Sequence, residues 1–259
     1  MSGKLLNKVC FLTWSSLCLI FIGCSTDPVQ EDFVNVEDQY ELRLHQLLSS
    51  NGSLPTLQIT SIETHNCLNS YISHIAVISE EKTRIYLNEI LTEGECISGN
   101  EIVSENILIN TSNSALPIEI NVKSIIHNTG VLYSDNTQFE LDLHQFDGLK
   151  IIKTQINKVQ PNMIWGSYSL SNNGISDQIS QYINEVDLDY SEPKGDYGFF
   201  YVAQDNSVKI YEDDSDLTFL ISSENDFENF KTKIQEFKQM DQSLVFQATN
   251  YDGSTLNIH

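Results

Sequence analysis

The chain has 259 residues, of which 40% are hydrophobic, so it can bury the core of one large domain or two small ones. Its 14 Lys and Arg stand against 36 Asp and Glu, which gives a formal net charge of −22. This charge argues against nucleic acid as a partner, because binding to phosphates needs clustered basic side chains. It also disfavours lying flat on anionic lipid headgroups, and it suits a body that meets a cationic partner.

Residues 1–24 have the layout of a secretory signal. They begin with two lysines among the first eight residues, continue through an apolar run over residues 9–22, and close on Gly23 and Cys24. A charged start, an apolar centre and a small residue at the cleavage point are the three parts of such a signal. The run is shorter than the about 20 residues that a membrane-spanning helix needs. The pattern therefore predicts a signal peptide over residues 1–23 and disfavours a transmembrane anchor.

The end of this run, Phe21-Ile22-Gly23-Cys24, resembles the lipobox of bacterial lipoproteins. In that family a diacylglyceryl group is attached to the cysteine thiol, the chain is cut before the cysteine, and the new amino terminus is acylated. The resemblance implies that Cys24 carries fatty acids of the palmitate type. Several acyl chains together exceed the weak binding that one chain provides, so the implied anchor is stable. The alternative is an ordinary cleaved signal in which Cys24 is incidental.

The resemblance also implies a location. Ser25 follows the cysteine, without the Asp that would indicate retention at the inner membrane, and acidic residues come soon after it, at Asp27, Glu31 and Asp32. An acidic patch at this place is similar to the surface-export signal of Bacteroidota lipoproteins. We therefore expect a lipid-anchored protein of the cell envelope at the outer membrane, facing either the periplasm or the surface.

The remaining cysteines support export. Two of the five lie in the signal and a third is Cys24, which leaves Cys67 and Cys96. Two thiols in an oxidising compartment predict a disulfide, which would stabilise the fold by roughly 3–4 kcal/mol on the chain-entropy argument. Two alternatives are open: a pair of free buried thiols, or a Cys67 nucleophile with His65 as its base on the same face of a strand.

The chain divides into four predicted segments. These are the signal at 1–23, a tether and short helix at 24–53, a β-sandwich at 54–170 and an α+β module at 171–259. Residues 25–35 are polar without periodicity, which is typical of a flexible tether. The apolar residues Tyr40, Leu44, Leu47 and Leu48 recur at helical spacing, and Asn51-Gly52 would end such a helix.

The fold class predicted for the rest is mainly β. Nine short runs rich in Ile, Val, Thr and aromatic residues are bounded by turn residues, as expected for a sandwich. They are 57–62, 71–78, 84–91, 107–109, 118–126, 131–133, 139–143, 149–156 and 163–170. An immunoglobulin-like topology is one possibility, although Trp165 does not fall between the two cysteines as it would in antibody domains.

After Ser171 the pattern changes from strands alone to a mixture of helices and strands. Helical spacing predicts helices over 175–186 and 225–240, and strands are predicted at 197–203, 208–211, 217–221, 244–251 and 254–258. The run from Tyr197 to Tyr201 is rich in aromatics. On a strand, Tyr197, Phe199 and Tyr201 would share one face, which could form a platform for a sugar or a protein, or could be buried like the other face.

No motif for catalysis, zinc or nucleotide binding occurs in the sequence, so we expect no catalytic residues and no cofactor. Two acidic loops, 187–192 and 212–216, could hold a loosely bound Ca²⁺ or could be solvated. The first is not an EF-hand loop, because Glu192 stands where Gly is needed and Gly198 where the bidentate Glu should be.

These observations predict a lipid-anchored cell-envelope protein that binds another protein or a glycan and is not an enzyme. One alternative is an envelope hydrolase with a carboxylate-based site in a cleft. Another is an acidic inhibitor or immunity-type protein, for which the negative charge suits a basic partner.

Overall fold

The computed structural model describes residues 37–109, 113–188, 193–211, 215, 217–223 and 227–259. The predicted signal, the lipidation site Cys24 and the tether lie outside these residues, as does most of both acidic loops. The residues from 37 onward belong to one compact unit. None of the described helices is long and apolar enough to cross a membrane.

The described residues contain two helices and many short strands, so the chain is mainly β, as predicted. The strands are β1 Tyr40–Leu47, β2 Leu54–Ser61, β3 His65–Cys67, β4 Ser70–Ile78, β5 Thr83–Thr92, β6 Ser98–Glu101, β7 Ser104–Leu108, β8 Ala115–Val122, β9 Ile126–Ser134, β10 Gln138–Leu143, β11 Leu149–Lys153, β12 Gln155–Asn157, β13 Met163–Ser169, β14 Gly195–Asp196, β15 Phe200–Val202, β16 Val208–Ile210, β17 Leu217–Ser222, β18 Val245–Asn250 and β19 Thr255–Ile258. The helices are α1 Asn173–Val186 and α2 Phe227–Met240.

Two sheets enclose the first core. One has the strand order β11-β1-β2-β7 and the other β12-β10-β9-β8-β5-β4. A single cluster of buried side chains draws on both, including Leu42 and Ile59 from the first sheet and Ile85 and Ile120 from the second. The sheets therefore pack on a shared core in a sandwich-like arrangement. Two of its strand pairs, β1 with β11 and β5 with β8, are parallel, unlike the antiparallel pairs of an immunoglobulin domain.

The helix predicted within 24–53 is wrong, because residues 40–47 form β1. Tyr40, Leu42 and Leu44 are buried and alternate with more exposed residues, which is the period of a half-buried strand. The same segment also carries apolar residues at helical spacing. Pairing with β2 on one side and β11 on the other decides in favour of the strand.

The C-terminal part is an α+β unit, as predicted. Its sheet has the order β17-β13-β18-β19, and both helices pack against it. The second core includes Ile179 of α1, Ile234 of α2 and Phe246 of β18. The run at 163–170, predicted to end the sandwich, is instead β13 in the middle of this sheet. The apolar pattern of residues 163–170 predicts a strand, but the sequence alone does not identify the strands with which it pairs.

A third core lies where these two parts meet. It contains Met163, Trp165, Tyr197 and Phe200, with Leu48 from the sandwich side packed against it. Tyr197 and Phe200 are fully buried, whereas Tyr201 is 39% exposed. The alternative of an aromatic platform is therefore not realised, since Tyr197 and Tyr201 do not share an exposed face. Gly198, with φ +84°, interrupts the alternation between them.

Gln46 joins the two parts at this core. Its side chain is buried, and its Nε2 donates to the carbonyl oxygens of Tyr197 at 2.5 Å and Asn157 at 3.0 Å. Its Oε1 accepts from the backbone N–H of Val159 at 3.1 Å. One amide of β1 thus satisfies three backbone groups in the segments that lead into and run through the C-terminal part.

Polar contacts beside Gln46 strengthen this joint. The Asp196 carboxylate accepts from Lys153 Nζ, from the Tyr211 hydroxyl at 2.7 Å and from the Gly198 N–H at 2.6 Å. Burial, together with Asp196, raises the pKa of Tyr211 well above its usual value. The tyrosine therefore stays a neutral donor and holds the Asp196 carboxylate in place.

His45 lies next to the same contacts. Its Nδ1 accepts from the Gln46 N–H at 2.7 Å, and its ring meets Phe199 edge-on with centroids 4.8 Å apart. Burial lowers the pKa of His45, the charges of Lys153 and Arg43 lower it further, and Asp196 partly opposes them. The folded state therefore favours the neutral imidazole.

We expect the substitution Gln46→Glu to destabilise the protein by about 3–5 kcal/mol, because a carboxylate would face two carbonyl oxygens without a proton to donate. The free energy of unfolding at neutral pH, from urea denaturation, measures this. Gln204→Glu is the matched control, since it makes the same change of charge at an exposed position. Equal losses for the two variants would contradict the role of Gln46.

We expect His45 to make the protein less stable in mild acid. Its pKa is lower in the folded chain than the usual 6.5, so below that pH the unfolded chain takes up the proton first and stability falls as pH drops. His45→Asn keeps an acceptor for the Gln46 N–H but does not titrate. Urea unfolding of both proteins from neutral pH to pH 5 should show a shallower loss for the variant, and parallel curves would refute the assignment.

Candidate functional site

The predicted disulfide is confirmed. Cys67 and Cys96 are bonded to each other with their Cα atoms 5.2 Å apart, and the link joins the last residue of β3 to the loop that precedes β6. A cysteine in a disulfide has no free thiolate, so the alternatives of free thiols and of a Cys67 nucleophile are not realised. We call residues 62–69 and 91–103 the disulfide lobe.

Asn69 fixes the loop of this lobe that contains Cys96. Its Nδ2 donates to the carbonyl oxygens of Glu93 and Glu95, the second at 2.9 Å, and its Oδ1 accepts from the Ile97 N–H at 3.0 Å. Leu68 also lies directly over Gly99, where a Cβ would come within 2.8 Å of three of its side-chain atoms. The loop is therefore held by one covalent link and by a side-chain amide.

Exposed apolar side chains are concentrated in and around this lobe. Among the described residues 20 large hydrophobic side chains are exposed, and 10 of them fall within residues 62–108. They are Ile62, Leu68, Tyr71, Ile75, Val77, Ile78, Leu91, Ile97, Ile102 and Leu108. Ile97 is 57% exposed and Ile102 is 54% exposed, and both belong to the disulfide lobe. So many exposed apolar side chains in one stretch of the chain make this stretch a candidate interaction site.

The charge of the lobe has one sign. Its two segments contain four glutamates, Glu63, Glu93, Glu95 and Glu101, and no Lys or Arg. All four glutamates are exposed. The lobe thus exposes aliphatic side chains and carboxylates but no side chain of Lys or Arg.

Strand β4, which follows the lobe directly, is the edge of the six-stranded sheet. Among the described residues it pairs with β5 alone. Its sequence SYISHIAVI contains no Lys, Asp, Glu, Arg or Pro, and Ile75 and Val77 are 58% and 50% exposed. Edge strands usually carry charges or proline against unwanted pairing, so this strand is unusually open.

A cavity of about 470 Å³ lies at the base of the lobe, against the start of β1. Its lining includes Glu37, Asp38, Tyr40, Glu63, His65 and Glu89. The hydrolase alternative requires such a concave place with carboxylates. However, the residues that carry these four carboxylates are all exposed, so none of the four is enclosed away from water.

Tyr40 forms the buried wall of this cavity. Its hydroxyl donates to the carbonyl oxygen of Asn88 at 3.3 Å. Burial and the charge of Glu89 raise the pKa of Tyr40. The phenol is therefore a neutral hydrogen-bond donor and not a base.

The other sequence-based candidates are not brought together. No three His, Cys, Asp or Glu side chains of the described residues converge in a way that could hold a metal ion. Of the first acidic loop, Asp187 is described, and its Oδ1 accepts from the Ser222 N–H at 3.1 Å, which is a structural role. The calcium prediction otherwise falls on residues outside the described ranges.

The sequence predicts the paired cysteines of this site but not the exposure of its apolar residues. Ile97 stands alone in the polar segment EGECISGNEIVSEN, which has neither the period of a strand nor that of a helix, and Ile102 is followed only by Val103. An isolated aliphatic residue next to a disulfide cysteine, in a segment without periodicity, is the signal that the sequence offers.

No known protein family, curated protein or solved structure matches the chain.

Proposed function

We propose that the protein is a lipid-anchored, non-enzymatic binding protein of the cell envelope that is attached at the outer membrane through Cys24 and contacts another protein through the disulfide lobe. The observation that carries the binding role is the concentration of exposed aliphatic side chains on a braced loop. The lipobox-like residues before Cys24 support the anchor. The Cys67–Cys96 disulfide supports an oxidising compartment.

The rigidity of the lobe favours binding. Ordering a mobile side chain at an interface costs about 0.5–1.5 kcal/mol, and ordering a loop costs more. The disulfide and Asn69 hold the loop at Ile97 in place before any partner arrives. Its apolar contacts therefore contribute to affinity with little ordering cost.

A protein is a better partner for this surface than a glycan. Sugar rings stack on exposed aromatic faces, and the aromatic run from 197 to 201 buries Tyr197 and Phe200. The exposed apolar side chains of the lobe are Ile and Leu. Aliphatic side chains accompanied by carboxylates fit an apolar patch on a protein whose border carries Lys and Arg.

The anchor is tested by metabolic labelling with an alkynyl fatty acid. Cells that produce the full chain should incorporate label into the protein, and the Cys24→Ala variant should incorporate none, because the thiol that receives the lipid is gone. Washing membranes with high salt should leave the labelled protein bound. Label retained in the Cys24→Ala variant would refute the lipoprotein assignment.

The binding surface is tested by photo-crosslinking in cells of the native host. A benzoylphenylalanine at Ile97 should give a discrete adduct with another protein. The same amino acid at Met240 on α2 should give none, although Met240 is 58% exposed and thus matches Ile97 in accessibility. Replacing both Cys67 and Cys96 with Ser should reduce the adduct by releasing the loop. Similar adducts from Ile97 and Met240 would overturn the assignment of the lobe.

A further inference from the structure

We propose that β4 takes up an extended segment of the bound partner as an additional strand, and that this segment carries alternating apolar residues with Lys or Arg at the end next to the turn that follows β4. The proposal rests on the proposed function and adds the mode of docking and the chemistry of the partner. Strand addition at a sheet edge is a common way of binding peptides, in which main-chain hydrogen bonds provide affinity.

The hydrogen-bond pattern at the end of β4 shows which backbone groups face outward. The Ser79 N–H donates to the Lys82 carbonyl oxygen at 3.1 Å, so these two residues form a hydrogen-bonded pair at the turn. Antiparallel pairs alternate between hydrogen-bonded and non-hydrogen-bonded. The pairs Val77 with Arg84 and Ile75 with Tyr86 are therefore hydrogen-bonded to β5.

His74, Ala76 and Ile78 occupy the alternate positions, so their N–H and C=O groups point away from β5. A second contact agrees with this pattern. The carbonyl oxygen of Leu87, which lies opposite His74, accepts from the Lys123 N–H at 2.7 Å on the other side of β5. Among the described residues, no strand pairs with the outward side of β4. The outward N–H and C=O groups of these three residues are therefore available to pair with an added strand. We call this row of groups the open ladder.

The open ladder has a defined length. The register shifts between Ile72 and His74, which marks a bulge, and the His74 ring Nδ1 lies 3.2 Å from the Ile72 carbonyl oxygen. The bulge therefore interrupts the regular pairing pattern before His74. The part from His74 to Ile78 spans about 17 Å at the usual rise per residue. This length seats a single strand of about five residues.

The side chains beside the ladder specify apolar neighbours. Ile75 and Val77 project from the outer face of the sheet and are at least half exposed. An added strand would place every second side chain next to them, and such lateral pairs of β-branched residues stabilise a sheet. The segment should therefore carry Val, Ile or Thr at alternate positions.

Both ends of β4 are acidic. Glu80 and Glu81 follow the strand in the turn, and Glu93 lies at its start, where its N–H donates to the Asn69 carbonyl oxygen. These glutamates are exposed. A basic residue at the end of an added segment next to the turn would meet the carboxylates of Glu80 and Glu81, whereas Glu93 lies outside the open ladder.

The basic residues near β4 cancel only part of this charge. Lys82 and Arg84 both bind Glu119, the second with 2.9 Å between Nε and Oε2. Lys82 and Arg84 share this one carboxylate, so one of the two charges of Glu80 and Glu81 is left uncancelled. A second copy of the chain is a poor occupant, because its own β4 contains no Lys or Arg to meet Glu80 and Glu81. Charge complementarity thus favours a foreign basic-ended segment.

The test uses the purified full chain in detergent and the labelled peptide Lys-Thr-Val-Thr-Val-Thr-Lys, followed by fluorescence anisotropy. We expect binding that weakens with added salt, and binding about tenfold weaker for the same peptide with Glu at both ends. Backbone hydrogen exchange should slow at His74, Ala76 and Ile78 when the Lys-ended peptide is bound. Equal binding of the two peptides, no anisotropy change, or no protection of these amides would overturn the proposal.

Two variants test the ladder itself. Ala76→Pro removes an outward N–H that β5 does not use, and it should weaken peptide binding about tenfold, whereas Ala76→Ser keeps the N–H and should bind like the wild type. Ile78→Pro does the same at an exposed position, which covers the case that Ala76→Pro fails to fold. Unchanged binding by a folded proline variant would refute the proposed pairing.

The outcomes separate this proposal from the proposed function. If the peptide does not bind while Ile97 still gives its adduct, the lobe binds a partner without strand addition. If both fail, the binding function itself is wrong. A dimer in sedimentation that Ala76→Pro dissociates would assign the edge to a second copy and would refute the proposal of a foreign segment.

Discussion

The architecture depends on a single buried amide. Gln46 extends from the first described strand into the place where the sandwich and the C-terminal part meet, and it satisfies two carbonyl groups and one N–H that would otherwise be buried without partners. A buried backbone group without a partner costs about 1–3 kcal/mol, so the three groups require a side chain that both donates and accepts. The third core forms around this contact, with Trp165 and Phe200 in van der Waals contact beside it. The two parts are thus one unit with a shared core. The sequence pattern of β13 fits the last strand of the sandwich, although this strand belongs to the other sheet.

Much of the fold could be predicted from local patterns, because most strands and both helices are bounded by strong turn residues. The run YISHIAVI lies within β4, and Phe227, Phe230, Ile234 and Phe237 form the buried stripe of α2. The prediction failed at residues 40–47, where apolar residues fit both a helix and a strand. What decides there is pairing with β2 and with β11, and β11 lies more than a hundred residues later in the chain, beyond any local pattern. The short strands β3 and β6 were missed for a related reason, since the disulfide and Asn69 order a segment that has no periodicity of its own.

The candidate site shows the same division between local and distant information. The pairing of Cys67 with Cys96 could be predicted because few other cysteines were available. The exposure of Ile97 could not, because an isolated aliphatic residue reads equally as core or surface until its surroundings are known. The uncharged sequence of β4 resembles that of a central strand, which is buried on both faces, and only the order of strands in the sheet places it at an edge. The features that favour binding are therefore surface segments whose amino-acid composition is typical of a buried core.

The position of β1 has a mechanical consequence. It is the first described strand in the chain, yet it lies inside its sheet, parallel to β11 on one side and antiparallel to β2 on the other. A tension applied from the amino-terminal side would run along the strand axis, nearly at right angles to the hydrogen bonds of the antiparallel β2 ladder. Extraction of the strand would then require many bonds on both sides to break together in shear, instead of opening one at a time as in a peeled edge. A load applied from the amino-terminal side would in this way pass through a strand that is paired on both edges.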